Sequence, residues 1–260
     1  RIVGPRLTVA PPRRASRYPK GCTRTAIRAH TTRALLVRRV DYGDSDLVVT
    51  LFTESFGKAS ALARGARKSQ RRFGGALEPM HTLHVRLDER PTSEIFVLGE
   101  ARIEVARSRL LTSLERMEAA GRALGWVRRA SPPRTAEPEV WRAIDSLLTR
   151  LDTRDDAVSP RRELAQAGLS LLSAFGWGLD LARCVSCGKL CPEAQAAQID
   201  VARGGLVCRG CGGARLQVPG PTRRRMVRAA RGEPDALAAT DLDVALDLVE
   251  RAFRAHLGFD

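Results

Sequence analysis

Long apolar runs are missing from this 260-residue chain. No stretch reaches the roughly 18 apolar residues that a membrane-spanning helix needs. The first residues also lack an apolar core before a small-residue cleavage site, so export is not expected. Aromatic residues are scarce, at 5%. Histidine is scarcer still, with His30, His81, His84 and His256 making the full set. His81 and His84 stand three apart on a predicted strand and fall on opposite faces, which argues against a shared metal. No Gly-x-x-x-x-Gly-Lys-Ser/Thr, Gly-x-Gly-x-x-Gly, His-Glu-x-x-His or Gly-x-Ser-x-Gly run occurs. Gly57-Lys58 is followed by Ala59, and no glycine stands at position 52. With these signatures absent, the sequence offers no catalytic centre, and no enzymatic activity is expected.

What the chain has is positive charge. Lys and Arg number 44 against 29 Asp and Glu, a net +15. Only Lys20, Lys58, Lys68 and Lys189 are lysines. A basic excess points to a polyanion, because cations on phosphates release condensed counterions. Arginine-rich usage also accompanies a GC-rich genome, so charge alone leaves nucleic-acid binding at even odds. More than half of the excess lies in residues 1–30, which hold eight basic residues, no acid, and Pro5, Pro11, Pro12 and Pro19. Residues 1–31 therefore read as a disordered extension, passive rather than a DNA-touching arm.

Hydrophobic residues make up 43% of the chain, enough for a core. From Thr32 short β-branched runs alternate with turn clusters. Ala34–Val40, Leu47–Thr53, Lys58–Ala63, Met80–Leu87 and Glu94–Leu98 read as five strands, with Arg102–Val105 as a continuation. Five strands in about 75 residues fit the OB-fold, a partly open five-stranded barrel, over 32–106. From 107 the period is helical. Thr112-Ser-Leu-Glu115 has capping-box form and opens a helix to about Arg129. Pro138 opens a second, whose Val140, Trp141, Ile144, Leu147, Leu148 and Leu151 make one apolar face. Pro160 opens a third, closed by Gly176, and two more follow near 222–230 and 241–257. The fold class is α+β: an N-terminal OB-fold barrel, then an α-helical domain (107–260) with a zinc-ribbon-like insert at 184–213.

That insert rests on spacing. Cys184-Val-Ser-Cys187-Gly188 and Cys208-Arg-Gly-Cys211-Gly212 are two Cys-x-x-Cys-Gly knuckles, with twenty residues between Cys187 and Cys208. Glycine after each second cysteine lets the chain curl so that both thiolates face one ion, and two knuckles complete a tetrahedral four-sulfur site for one Zn2+. A closed thiolate shell leaves no position for water, so the zinc is expected to be structural. A redox Cys-x-x-Cys is the rival, and the doubling counts against it. Cys191 is a spare and Cys22 lies in the extension. Cysteines used this way suit a reducing, cytoplasmic setting.

A second constellation is the acid-free run Arg64-Gly-Ala-Arg-Lys-Ser-Gln-Arg-Arg-Phe-Gly-Gly75. Its cations Arg64, Arg67, Lys68, Arg71 and Arg72 link the third and fourth strands, where a barrel would track a single strand's phosphates. Phe73 is a candidate for base stacking, with a core anchor as its alternative. Arg38 and Arg39 sit next to each other on a strand, so at least one points outward. Arg223, Arg224, Arg225, Arg228 and Arg231 form a further cluster at a helix start, readable as solubility or as a landing site for phosphate or an acidic peptide.

Leu36-Val-Arg-Arg-Val-Asp-Tyr-Gly-Asp-Ser-Asp-Leu-Val-Val-Thr-Leu-Phe-Thr53, Gly57-Lys58, Ala63-Arg-Gly-Ala-Arg-Lys-Ser69 and Gly75-Ala-Leu-Glu-Pro79 resemble the N-terminal domain of the bacterial RecO family. Arg161-Arg-Glu-Leu164, Leu171-Leu-Ser-Ala-Phe-Gly-Trp-Gly-Leu179 and Cys184-Val-Ser-Cys-Gly188 follow in the family's order. Trp177 stands where the family usually has Tyr. The resemblance covers about 32–258 and implies a recombination mediator in DNA repair. Such a protein binds single- and double-stranded DNA and anneals complementary strands. It works with RecR to load RecA onto strands coated by single-stranded DNA-binding protein, and docks that protein's acidic C-terminal tail on its helical domain. It is expected at the nucleoid, with no membrane partner. By chemistry alone, Arg161, Arg162, Leu172, Phe175, Arg223 and Arg224 are candidates for the tail pocket. The rivals are a zinc-ribbon accessory factor of transcription or translation, and a nuclease with an unrecognised carboxylate cluster.

Overall fold

The computed structural model describes residues 28–91, 93–153 and 159–258. Five strands close into a barrel: β1 (Arg28–Tyr42), β2 (Asp46–Thr53), β3 (Gly57–Ala63), β4 (Thr82–Glu89) and β5 (Phe96–Val105). Their order is β1-β2-β3-β5-β4, closed by β1 on β4; β3 and β5 pair in parallel and the others antiparallel. This is the expected OB-like ring. Alternation sorts the side chains. Leu36, Leu47, Val49, Leu51, Leu83, Val85, Leu87 and Leu98 fill the interior, with Ala59, Ala61 and Ala63 giving the small side chains a narrow barrel needs.

β1 starts earlier than the sequence suggested. Arg28 pairs with Glu89 and Thr31 with Arg86, so residues 28–31 belong to the barrel rather than to the extension. Their backbone groups are satisfied by β4, a partner that local propensity does not reveal. Residues 1–27, including Cys22, lie outside the described residues. A bulge between Leu36 and Arg38 shifts the β1–β2 register by one residue.

The helical domain comprises α2 (Leu114–Ala130), α3 (Pro138–Thr153), α4 (Pro160–Ala174), α5 (Gly220–Ala230) and α6 (Leu242–Leu257). The cap of α2 is Ser113, whose hydroxyl accepts from the Arg116 N–H; Thr112 ends a preceding 3-10 turn. All six apolar residues expected on the α3 face are buried. α4 runs through the centre. A Cβ on Gly168 would stand 2.7 Å from Val249 Cγ1, so this glycine lets α4 and α6 approach closely. Trp126 and Phe253 stack beside it at 5.1 Å. Between α4 and α5 the cysteine segment folds on a small sheet of β6 (Ala197–Asp200), β7 (Gly205–Leu206) and β8 (Leu216–Val218), in the order β7-β6-β8. No described helix is long and apolar enough to cross a membrane.

One end of the barrel exterior docks on this domain. Leu35 and Phe52 face away from the barrel interior and join the helical core, with Phe52 6.0 Å from Trp141. The Gly57-Lys58 pair belongs to the same junction. A Cβ on Gly57 would fall 1.7 Å from the Thr135 carbonyl oxygen, and Lys58 Nζ donates to the Arg128 carbonyl at 3.0 Å. Arg107, 1% exposed, bonds Thr82 Oγ1 at 2.8 Å and Asp145 Oδ1 at 2.8 Å, riveting β4 to α3.

Candidate nucleic-acid interface and metal centre

The basic run leaves β3 and returns to β4 across one end of the barrel. Its path is fixed by backbone bonds. Asp46 Oδ1 accepts from the Gly65 N–H at 2.7 Å, and the Arg67 N–H donates to the Ser45 carbonyl at 3.1 Å. Within it, Gln70–Phe73 forms one helical turn, α1, which the sequence reading treated as plain loop. Arg64, Arg67, Lys68, Arg71 and Arg72 are all exposed. Arg67 reaches Asp41 only at 3.9 Å, and among the described residues the other four pair with no carboxylate. Arg72 instead donates to the Arg64 carbonyl and to Ser69 Oγ. Uncompensated cations on one hydrogen-bonded element present a positive rim toward solvent.

Arg38 and Arg39 both reach solvent but differ in role. Arg39 lies opposite Val49, an interior position, and arches over the barrel end to Leu77 O at 2.9 Å and Glu78 Oε1 at 2.6 Å. It is a tether whose charge is largely spent. Arg38 lies opposite the outward-facing Thr50 and has no ion-pair partner among the described residues. Phe73 is not available for stacking. It is 2% exposed and packed in the barrel core, because α1 folds its apolar side inward. Sequence reasoning passed over Tyr42, a ring that stands 59% exposed at the end of β1. Its spacing from Arg38, four residues along a strand, was the available signal.

The four cysteines come together as their spacing requires. One sulfur from each of Cys184, Cys187, Cys208 and Cys211 lies within 4.8 Å of all the others. Cys187 and Cys208 Sγ are 3.7 Å apart. Four thiolates at the ~2.3 Å zinc bond length stand about 3.8 Å from one another, so the donor set fits a tetrahedral Zn2+. A disulfide at ~2.05 Å does not fit this separation. Gly188 and Gly212 take φ of +72° and +96°, giving each knuckle its curl. The N–H of Cys208 points at Cys184 Sγ at 3.4 Å. That bond, with the amides of Ser186 and Cys187, lowers the Cys184 thiol to about 5, whereas Cys211, donating its S–H to the Cys208 and Cys187 sulfurs, is pushed up to about 12. Cys191 is outside the cluster; its sulfur faces the Pro192 carbonyl.

The six candidates for a tail pocket do not line one pocket. Arg161 and Arg162 begin α4 and Phe175 follows its end, a separation of roughly 20 Å at 1.5 Å per residue. Leu172 is 1% exposed, inside the helical core. Arg223 is 2% exposed and donates to Leu181 O at 2.6 Å and to the Cys191 and Pro192 carbonyls, clamping α5 to the cysteine segment. It is a structural tie rather than a landing site. Arg161 pairs with Asp243 at 2.6 Å, and Arg224 approaches Glu193 at 3.9 Å. Phe175 is half-buried, stacked on Trp177 at 5.2 Å.

Comparison with known proteins matches both halves of this architecture. The family profile described as Recombination protein O N terminal covers residues 27–107, and Recombination protein O C terminal covers 111–260. The DNA repair protein RecO of Geobacter sulfurreducens is 38% identical over 179 residues, 69% of this chain and 71% of that protein. RecO of Myxococcus xanthus is 36% identical over 182 residues, again 69% and 71%. RecO of Anaeromyxobacter dehalogenans strain 2CP-1 is 38% identical over 178 residues, 68% of each chain. The barrel, the helical domain and the four-cysteine insert are thus carried on a chain that belongs to the RecO family of DNA repair and recombination proteins.

Proposed function

We propose that this chain is a recombination mediator that binds DNA through the barrel's positive rim, anneals complementary single strands and, with RecR, helps load RecA onto strands coated by single-stranded DNA-binding protein. The observation that carries this reading is the exposed loop of five cations at the barrel end, four of them without a carboxylate partner among the described residues. Annealing needs no covalent step. Two polyanionic strands repel; cations that neutralise phosphates lower that barrier, and base pairing supplies the driving force. Arg64, Arg67, Lys68, Arg71 and Arg72 supply the neutralising charge, and Arg38 extends it along β1. Recognition of the coating protein's acidic tail is assigned to the helical domain.

The four thiolates hold one structural Zn2+ in this reading. The ion braces the insert and offers no open coordination position for chemistry. Cys184, buried at the base, joins the insert to the helical core by packing in it, and its sulfur accepts from the Cys208 amide.

The test is reversal of all five loop charges to Glu, read as single-strand affinity and annealing rate across a salt series. We expect at least a hundredfold loss of affinity at moderate salt, a flattened salt slope and no annealing, with an unchanged melting temperature. Unchanged affinity and annealing would refute the assignment.

A further inference from the structure

The outer face of the barrel is covered at one end and bare at the other. Leu35, Phe52 and Lys58 occupy the covered end, against the helical domain. Continuing along the same outward positions, β1 presents Arg38, Val40 and Tyr42, β2 presents Thr50 and Val48, and β3 presents Ser60 and Leu62. Ladder partners place these in rows. Val40 lies opposite Val48, Val48 opposite Leu62, and Leu62 opposite Val97 of β5, an apolar row across four strands. Val40 is 44% exposed, and Val48, Leu62 and Val97 are each half-exposed. Val40 and Tyr42 are both exposed, and neither belongs to a hydrophobic cluster of the described residues.

Cations flank this row. Arg38 lies opposite Thr50 in the row on one side. On the other, Tyr42 lies opposite Asp46, and Arg64 follows Leu62 where β3 runs into the basic loop. The Asp46 carboxylate between them is turned to the Gly65 N–H at 2.7 Å, so it organises the loop rather than facing outward alone. An exposed phenol, an apolar floor and a border of uncompensated arginines suit one kind of occupant. Unpaired bases bring flat apolar faces with a phosphate on each repeat. A duplex hides its base faces and gains nothing from Tyr42.

We propose that Tyr42 is a base-stacking residue and that the Val40–Val48–Leu62 row is the floor on which unpaired bases lie, so that this face, rather than the basic loop, makes the chain favour single strands over duplex. The inference rests on the barrel being the DNA-binding element, and it separates two tasks there. The loop cations hold phosphates of any strand, whereas Tyr42 requires an unstacked base.

The experiment uses the full chain with Tyr42→Ala, Tyr42→Phe and Tyr42→Trp, and three probes: oligothymidylate, an abasic strand of equal length, and a duplex. Tyr42→Ala is expected to weaken oligothymidylate binding roughly tenfold to a hundredfold, while duplex and abasic affinities stay within about twofold. Tyr42→Phe keeps the ring and should bind as the parent does. Emission of Tyr42→Trp should be quenched by oligothymidylate and not by the abasic strand, a readout that survives even if the alanine variant folds poorly. Parent-like oligothymidylate affinity in Tyr42→Ala, or absence of quenching in Tyr42→Trp, overturns the inference. If the five-charge variant has meanwhile lost all DNA binding, the barrel reading stands without it; if that variant binds normally, the barrel reading itself has failed. A change of oligomeric state in Tyr42→Ala with unaltered DNA affinity would assign the face to a second copy of the chain, and also overturns it.

Discussion

Two arginine clusters of similar composition meet opposite fates in this molecule. The loop over 64–72 keeps its cations in solvent, and the only carboxylate within reach among the described residues is Asp41, at 3.9 Å from Arg67. On α5, Arg223, Arg225 and Arg228 are spent on the fold, while Arg231 stays exposed and pairs with no carboxylate among the described residues. Arg223 is swallowed by backbone carbonyls, and Arg225 makes a two-pronged contact with Asp241, at 2.5 and 2.7 Å. Arg228 meets Glu233 at 2.6 Å, and Arg224 approaches Glu193. The difference lies in what the chain brings alongside. The loop's own stretch has no acid, whereas α5 is followed by Glu233 and Asp241 and packs on a segment that turns the Leu181, Cys191 and Pro192 carbonyls toward Arg223. A run of arginines is therefore a functional surface only where the fold leaves it uncompensated.

That contrast can be broken from the α5 side. Asp241 is fully buried and accepts from Arg225, Thr222 Oγ1 at 2.7 Å and the Ala238 N–H at 2.8 Å. Burial pushes its carboxyl upward, but the Arg225, Thr222 and Ala238 bonds outweigh it and hold it below the usual carboxylate range. Asp241→Asn should cost about 3 kcal/mol in urea unfolding at neutral pH and leave DNA affinity unaltered. The sign of the pH dependence follows. A depressed folded-state value adds stability above the unfolded value near about 4, and that stability is lost as pH falls through the folded value. The parent should thus show an acid limb that Asp241→Asn flattens; identical limbs would mean that the pair contributes nothing.

A smaller effect is expected at Arg223. Arg223→Met strands carbonyls of the cysteine segment and should cost about 2 kcal/mol. Elemental analysis of the parent should find one zinc per chain, and the variant should surrender it faster to a chelator, again with DNA binding intact. Loss of DNA affinity instead would move the α5 cluster into the functional class. The gentlest probe is on the loop. Arg71→Ala should leave stability unchanged and reduce the slope of log affinity against log salt by about one, whereas Arg228→Ala should leave the slope as it was.

Much of this was legible beforehand because short-range rules suffice for it. The α3 face was readable since all six apolar positions follow a period that only a helix satisfies. The four-cysteine cluster was readable since Cys-x-x-Cys-Gly confines two thiolates to one turn. The cap of α2 was misplaced by one residue because Thr112 and Ser113 are both competent, and the 3-10 turn before the helix decided between them. Between its two readings Phe73 is the core anchor, not the stacking residue, and that choice depends on how the loop folds over the barrel mouth. Leu172 and Arg223 were offered as pocket residues on chemistry alone, and the core and the insert absorbed them.

The sequence by itself determined the family, the five strands, the helical periods, the paired Cys-x-x-Cys knuckles and the acid-free basic run, each written in residues close along the chain. The tertiary structure alone decided which of those charges stay available and which ring faces solvent. A one-residue bulge at Val37 sets which way Arg38 and Tyr42 point, and closure of β1 on β4 recruits Arg28–Thr31 into the barrel. Both depend on strands that meet across dozens of residues, and pairing at that range is set by packing and hydrogen-bond satisfaction rather than by local preference.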